Sequence, residues 1–339
     1  MTIFLLAVII GLPAVAVSLW AAGALYFDLF RGTRIGAVVA VAWLCLVAAC
    51  FVFWQPAWQP LLALLATAAV LAGWWGTQQP QQDRDWDPNF ARVARVQISG
   101  DQLTFTHVRN TQYRSRDDYT TQWETRHYRL SRMCGVDVLL LYWGSPWMSH
   151  PMIVFDFGED GRVCISIEVR YRRGQPYNFL KSLFRQQELM YVVSDERDAI
   201  LRRTRCLAGH DMYLYKLNGD ELAMRQFFFE YTVSINRLAD QPAWYHGLTA
   251  NCTTGIYTQG RARMKWDWRM LLNGTLDRMM YDRGQLEQHL PFEELKRSSL
   301  LNEVANRAPE SGFGDFVRNE LPGYPSQTNP REEPETAQE

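Results

Sequence analysis

The sequence predicts an α+β protein in which N-terminal transmembrane helices lead into a soluble domain with a mostly antiparallel sheet. Three observations carry this reading. Charge is segregated: in residues 1–82 only Asp28, Arg31 and Arg34 are charged, and nearly all other charges fall in 83–339. Met152–Phe157, Gly158–Gly161 and Arg162–Arg170 form a hairpin pattern. Within it Val163, Ile165, Ile167 and Val169 alternate with Cys164, Ser166, Glu168 and Arg170, the period of a strand. Residues 220–239 place Leu222, Phe227, Phe228, Tyr231, Ile235 and Leu238 at helical spacing, an inward-facing stripe.

The elements follow in order. Residues 3–27 and 35–54 are uncharged and mostly apolar, and each meets the roughly 20 residues a span needs. The run 60–76 has 17 residues. It is flanked by Trp54, Trp58 and Trp74-Trp75, and tryptophan favours the membrane interface. Three spans result, the last two joined by a tight turn at Gln55–Pro60. A cleaved signal peptide fits the first run poorly, because it lacks a basic start and a small-residue cleavage site leading into soluble sequence. The anchor is therefore 1–82, and 83–321 is a soluble domain large enough for its own core. The tail 322–339, rich in Pro, Glu, Gln and Thr, is expected to be disordered. The Arg31–Arg34 loop is the only basic loop of the anchor. By the positive-inside rule it lies in the cytoplasm, and with three spans the soluble domain would lie there too.

Gln78–Asp87 reads as a polar linker. Arg95–Thr106 reads as a hairpin turning at Ser99-Gly100-Asp101. Residues 122–129 and 136–142 read as strands, 176–190 as a helix with Phe179, Leu180, Leu183 and Phe184 on one side, and 199–204 and 211–217 as strands. Pro242 closes the 220–239 helix region, and 243–250 leads to Cys252, where a further helix can begin. A net charge of −1 gives no basic face for nucleic acid. The six cysteines show no Cys-x-x-Cys spacing and there is no phosphate-binding glycine loop, so neither a metal nor a cofactor is expected. Cys134, Cys164, Cys206 and Cys252 can pair as disulfides in an oxidising compartment, although Cys164 sits in a strand and is better read as packed.

Two residues sit in settings that suit chemistry. Cys252 lies in Asn251-Cys252-Thr253-Thr254. With Asn251 or Thr249 as N-cap, its thiol falls in the first helical turn, where the dipole favours a thiolate and backbone N–H groups can hold an oxyanion. His150 stands at the mouth of the 152–170 hairpin, and a neighbouring imidazole can generate a thiolate. If the turn is Gly158–Asp160, Glu168 lies across from His150 and can orient it. Taken singly, each has a plainer reading: a buried small thiol, a structural histidine, a carboxylate paired with an arginine. A catalytic pair requires Sγ and a ring nitrogen within hydrogen-bond reach.

Several motifs carry a resemblance: Tyr142-Trp-Gly-Ser-Pro-Trp-Met-Ser-His150, Phe155-Asp-Phe-Gly158, Ile165-Ser-Ile-Glu-Val-Arg170, Phe184–Asp198 and Asn251-Cys-Thr-Thr254. Together they cover about half of the soluble domain, and it resembles that of the Lnb-type bacterial lipoprotein N-acyltransferase family. Ala250 stands where many members have Asn, and His246 where they often have Asn. The order of His strand before Cys helix also looks like the circularly permuted, NlpC-like branch of papain-type folds, to which lecithin retinol acyltransferase belongs. The resemblance implies a permuted papain-like domain with a Cys-bearing helix, in the periplasm at the bacterial inner membrane. It implies Cys252 as an acyl-accepting nucleophile and His150 as base; Glu168, placed by the hairpin register, is the candidate third member. Asn251, Thr253, His246 and Arg170 are the expected supporting residues. The partners implied are a membrane phospholipid as donor and a lipoprotein amino terminus as acceptor; no oligomeric state follows. Two other readings stay open: hydrolysis of a peptide, amide or lipid ester by the same residues, and a non-catalytic scaffold that binds lipid or lipoprotein.

Overall fold

Three apolar helices open the chain: α1 (Thr2–Gly23), continued by a π-helical turn at Ala24–Leu29, α2 (Arg34–Phe53) and α3 (Trp58–Thr77). The structure is a computed structural model, and it describes residues 2–206, 209–257, 269 and 273–325. Each of the three helices is long and apolar enough to cross a membrane. Ala21, Ala22, Ala24 and Ala68 are buried among them; small residues let membrane helices approach closely. The Thr33 hydroxyl caps α2, accepting from the Gly36 N–H at 3.2 Å.

The helices form one compact unit with residues 169–189 and 242–250. Asp28 accepts from the indole of Trp75 at 2.7 Å and from Gln186 Nε2 at 2.6 Å. Phe184 stacks on Phe27 with ring centres 5.0 Å apart. Arg185 lies 4.1 Å over the Trp75 ring and donates to the carbonyls of Gly76 and Gln78. Two soluble segments are thus pinned to the ends of α1 and α3, which lie on the same side as the Arg31–Arg34 loop. The helix expected over 176–190 shrinks here to α4 (Phe179–Ser182), capped by Asn178 Oδ1 accepting from Lys181 N at 3.0 Å. Phe184 is buried as expected, but Phe179 and Leu180 are exposed, so the apolar side is no core face.

The second unit comprises 87–168, 190–241 and 251 onwards. Its strands are β1 (Arg95–Ser99), β2 (Gln102–Tyr113), β3 (Tyr119–Arg129), β4 (Gly135–Trp143), β5 (Ser149–Asp156), β6 (Arg162–Arg170), β7 (Glu188–Asp195) and β8 (His210–Lys216). They make one eight-stranded sheet in the order β1-β2-β7-β6-β5-β4-β8, with β3 also on β2. β2 and β7 run parallel, while β1–β2, β2–β3, β4–β5, β4–β8 and β5–β6 are antiparallel. The 199–204 strand expectation is overturned: Glu196–Thr204 is helix α5. Asp195 caps it by accepting from Arg197 N at 2.8 Å. Acidic Glu196 and Asp198 in its first turn and basic Arg202 and Arg203 in its last suit the helix dipole.

Helix α6 (Glu221–Asp240) starts on the Asp220 cap, whose Oδ1 accepts from Ala223 N at 2.7 Å. Phe228, Tyr231, Ile235 and Leu238 face inwards as read, but Leu222 in the first turn is exposed. One aromatic core gathers Phe155, Phe157, Phe227, Phe228 and Tyr231. Phe155→Ala should cost about 3–5 kcal/mol, because the ring is fully buried with Phe228 and Tyr231 edge-on at 5.2 and 5.6 Å. A urea melt reads this directly.

A second core packs Leu139, Leu141, Met152, Val154 and Cys164 against Ala199, Ile200 and Leu201 of α5. It also takes in Val304 of the helix Asn302–Arg307 and Val317 of the helix Phe313–Glu320. Arg318 of the latter pairs there with Asp137 and with Glu196. Within the tail read from Pro322, Tyr324 is buried and its hydroxyl donates to Asp137 at 2.9 Å; residues 326–339 lie outside the described residues. All six cysteines are free thiols, and Cys164 is a core residue.

Candidate active site

Strand pairing builds the site. Met152 pairs with Ser166 and Asp156 with Arg162 across the Gly158–Asp160 turn. Carried two residues further, that register sets His150 opposite Glu168, with Ser166 on the same face of β6. His150 Nε2 lies 2.7 Å from Ser166 Oγ and 3.2 Å from Glu168 Oε1. Ser166 Oγ in turn donates to Glu168 Oε1 at 2.7 Å. Arg203 of α5 donates to the same oxygen at 2.5 Å. Glu168 thus has both partners weighed for it, the histidine and an arginine. The Trp143 ring stacks on the imidazole with centres 5.8 Å apart, which limits how the ring can turn.

Cys252 opens helix α7 (Cys252–Tyr257). Asn251 is its cap. Asn251 Oδ1 accepts from Thr254 N, and Asn251 N donates to Thr254 Oγ1, each at 2.9 Å. This is the reciprocal capping box with Thr in place of Glu or Gln. The helix lies so close to β6 that a Cβ at Gly255 would fall 2.4 Å from Ile167 Cδ1. The thiol is buried, with Sγ 3.9 Å from Thr253 Oγ1, and it is among the groups that raise the His150 pKa. Nε2 of His150 is taken up by Ser166 and Glu168.

Charge completes the geometry. Burial alone would lower the His150 pKa, but the Glu168 carboxylate and Cys252 more than reverse this and raise it to about 9. Burial likewise works against ionised Glu168, yet His150 and Arg203 hold its carboxyl well below the usual range. At neutral pH the ring therefore carries its proton, between sulfur and a fixed carboxylate. Cys164, without such neighbours, is pushed up by burial, as expected for an inert core thiol.

Sequence reasoning missed three residues. Ser166 was visible in the β6 alternation, two positions from Glu168. Arg203 was hidden by reading its segment as a strand. Asn273 had no local signal, yet its side chain ties the two halves of the site. Its Nδ2 donates to the Ser149 carbonyl at 2.5 Å and to Thr253 Oγ1 at 2.6 Å, and its Oδ1 accepts from Ser149 N at 2.7 Å. Ser149 precedes His150 and Thr253 follows Cys252, so one amide spaces the pair. Next to it, a Cβ at Gly274 would lie 2.0 Å from the Pro146 carbonyl oxygen, a backbone clash that only glycine avoids. Asn273→Ala should slow iodoacetamide alkylation of Cys252 about 10- to 100-fold, since displacements near 1 Å have such effects at reactive sites. An unchanged rate in a folded variant would remove Asn273 from the site.

The other expected supporting residues lie in the unit of the membrane helices. His246 Nδ1 is engaged within its own turn, accepting from the N–H groups of Leu248 and Thr249. Arg170 donates to Gln82 at 2.6 Å and lies 4.1 Å over Trp86. Among the described residues no three His, Cys, Asp or Glu side chains are grouped to hold a metal ion. A cleft of about 730 Å³ elsewhere in the second unit is walled by Arg126, Asp160, Asp195, Glu196, Arg197 and Asp315 among others, and neither Cys252 nor His150 lines it.

Fold and site together define a membrane-anchored α+β protein with a buried Cys–His–Glu constellation. Residues 119–272, a segment that spans His150, Glu168 and Cys252, match the family model of the Lnb N-terminal periplasmic domain. No curated protein and no solved structure matches the chain. The family places the soluble domain in the periplasm. The Arg31–Arg34 loop, on the same side, then runs against the positive-inside bias, and two arginines are a weak vote.

Proposed function

We propose that the protein is a cysteine acyltransferase of the bacterial inner membrane, moving an acyl chain from a phospholipid to the amino terminus of a lipoprotein. The observation that carries this is the buried Cys252–His150–Glu168 arrangement in a chain anchored by three membrane helices. Cys252 reacts as a thiolate, its proton resting on His150. Sulfur attacks the ester carbonyl, a C–S bond forms, and the carbonyl oxygen becomes an oxyanion facing the backbone N–H of Cys252. As the ester C–O bond breaks, His150 gives its proton to the leaving alcohol oxygen, and a lysophospholipid departs. The free amine then attacks the thioester carbonyl and passes a proton to the now neutral imidazole. The C–S bond breaks, leaving an amide and the starting thiolate–imidazolium pair. Glu168 keeps the ring oriented and stabilises its cationic form. The exposed Trp147 and Met148, just before His150, suit a lipid substrate.

Product analysis tests the reading. Full-length protein in phospholipid vesicles, given a diacylated peptide with a free amino terminus, should yield the N-acylated peptide and lysophospholipid in equal amounts. Free fatty acid with no acyl-peptide would mean hydrolysis, and neither product would mean a binding scaffold.

A further inference from the structure

The unit of the membrane helices exposes apolar side chains outside its spans. Phe179 is 45% exposed, Leu180 59% and Leu248 50%. They adjoin one another, because the turn carrying Leu248 lies against α4. Gly247 N donates to the Ser182 carbonyl at 3.0 Å, and a Cβ at Gly247 would fall 2.4 Å from Ser182 Oγ and 3.1 Å from the Phe179 ring.

The depth of this patch is fixed by what holds it. Phe184 stacks on Phe27, and Arg185 lies on Trp75 while bonding the carbonyls at the end of α3. Trp244 donates to the Gln78 carbonyl at 3.2 Å, so the second segment is pinned to the same helix end. Leu180 is four residues from Phe184, and Leu248 four from Trp244. Four residues reach at most about 14 Å. The patch therefore stays close to the end of α3, where Trp74-Trp75 mark the interface. Apolar side chains held at that level meet acyl chains and headgroups rather than bulk water.

We infer that Phe179, Leu180 and Leu248 form a lipid-contacting surface that sinks into the leaflet on the side of the soluble domain. This deepens the proposed function and rests on it in one respect only, the identity of the acyl donor.

The test uses the full chain in phosphatidylethanolamine–phosphatidylglycerol vesicles. A diazirine-bearing amino acid replaces Phe179, Leu180 or Leu248 in turn, and Ile98, a 43% exposed residue of β1, serves for comparison. All four are made in a Cys252→Ala background, so the crosslinks report lipid contact whatever the chemistry of the thiol. After illumination, phospholipid adducts at 179, 180 and 248 should exceed those at 98 at least about tenfold. Yields no higher than at 98, or crosslinks to protein alone, would overturn the inference.

Discussion

Replacing Cys252 by alanine should abolish acyl transfer while leaving the protein folded. The loss should be at least about three orders of magnitude in rate, because covalent catalysis offers no route around a missing nucleophile. The fold should tolerate the change within about 1 kcal/mol, since only one buried atom is removed and the site's frame does not depend on it. That frame is the Asn251–Thr254 capping box and the Asn273 amide. Transfer assays and thermal melts on the same preparation check both halves. Residual transfer above about a tenth of the wild-type rate would place the nucleophile elsewhere.

Glu168→Ala should have a different signature, loss of both stability and activity. The carboxylate serves His150 and Arg203 at once, and the Arg203 side chain is only 7% exposed. Removing one partner of a buried ion pair costs about 3–5 kcal/mol. What Arg203 retains is its bond to the Ala199 carbonyl at 3.0 Å. The pH dependence separates the two roles. The His150 pKa is raised in the fold from the ordinary 6.5 of an imidazole to about 9. Its stabilisation is thus complete below pH 6.5 and is lost as pH rises through about 9. Glu168 is shifted the other way, so its contribution is present above its ordinary pKa and fades only in strong acid. Melting temperatures of the wild type, followed from pH 6 to 10, should therefore fall across that His150 window. In Glu168→Ala that component should shrink or reverse, because only Cys252 is left to offset the burial that opposes the cation. Parallel slopes in the two proteins would show that Glu168 does not hold the charge on His150.

Much of the architecture was readable because it rests on short-range pattern. The three spans follow from charge segregation, and the β5–β6 hairpin follows from strict alternation with a glycine-bounded turn. The same alternation carried His150 and Glu168 to facing positions. The failures have physical causes. At 199–204, Ala199-Ile200-Leu201 was read as strand, while the Asp195 cap and the acid-to-base gradient along α5 were passed over. At 176–190, apolar spacing suggested a core helix, but Phe179 and Leu180 are exposed beside the membrane helices, where apolar residues need no interior. Asn273 lies 124 residues from Ser149 and 20 from Thr253, and no local pattern announces such a contact.

The account turns on whether Cys252 itself carries the acyl group. The direct measurement is peptide mass spectrometry of the full-length protein after incubation with phospholipid vesicles and no amine acceptor. The peptide containing Cys252 should gain the mass of one fatty acyl chain, and neutral hydroxylamine should remove it, as it does a thioester. An unmodified Cys252 peptide, or an acyl group on another residue that resists hydroxylamine, would contradict the account.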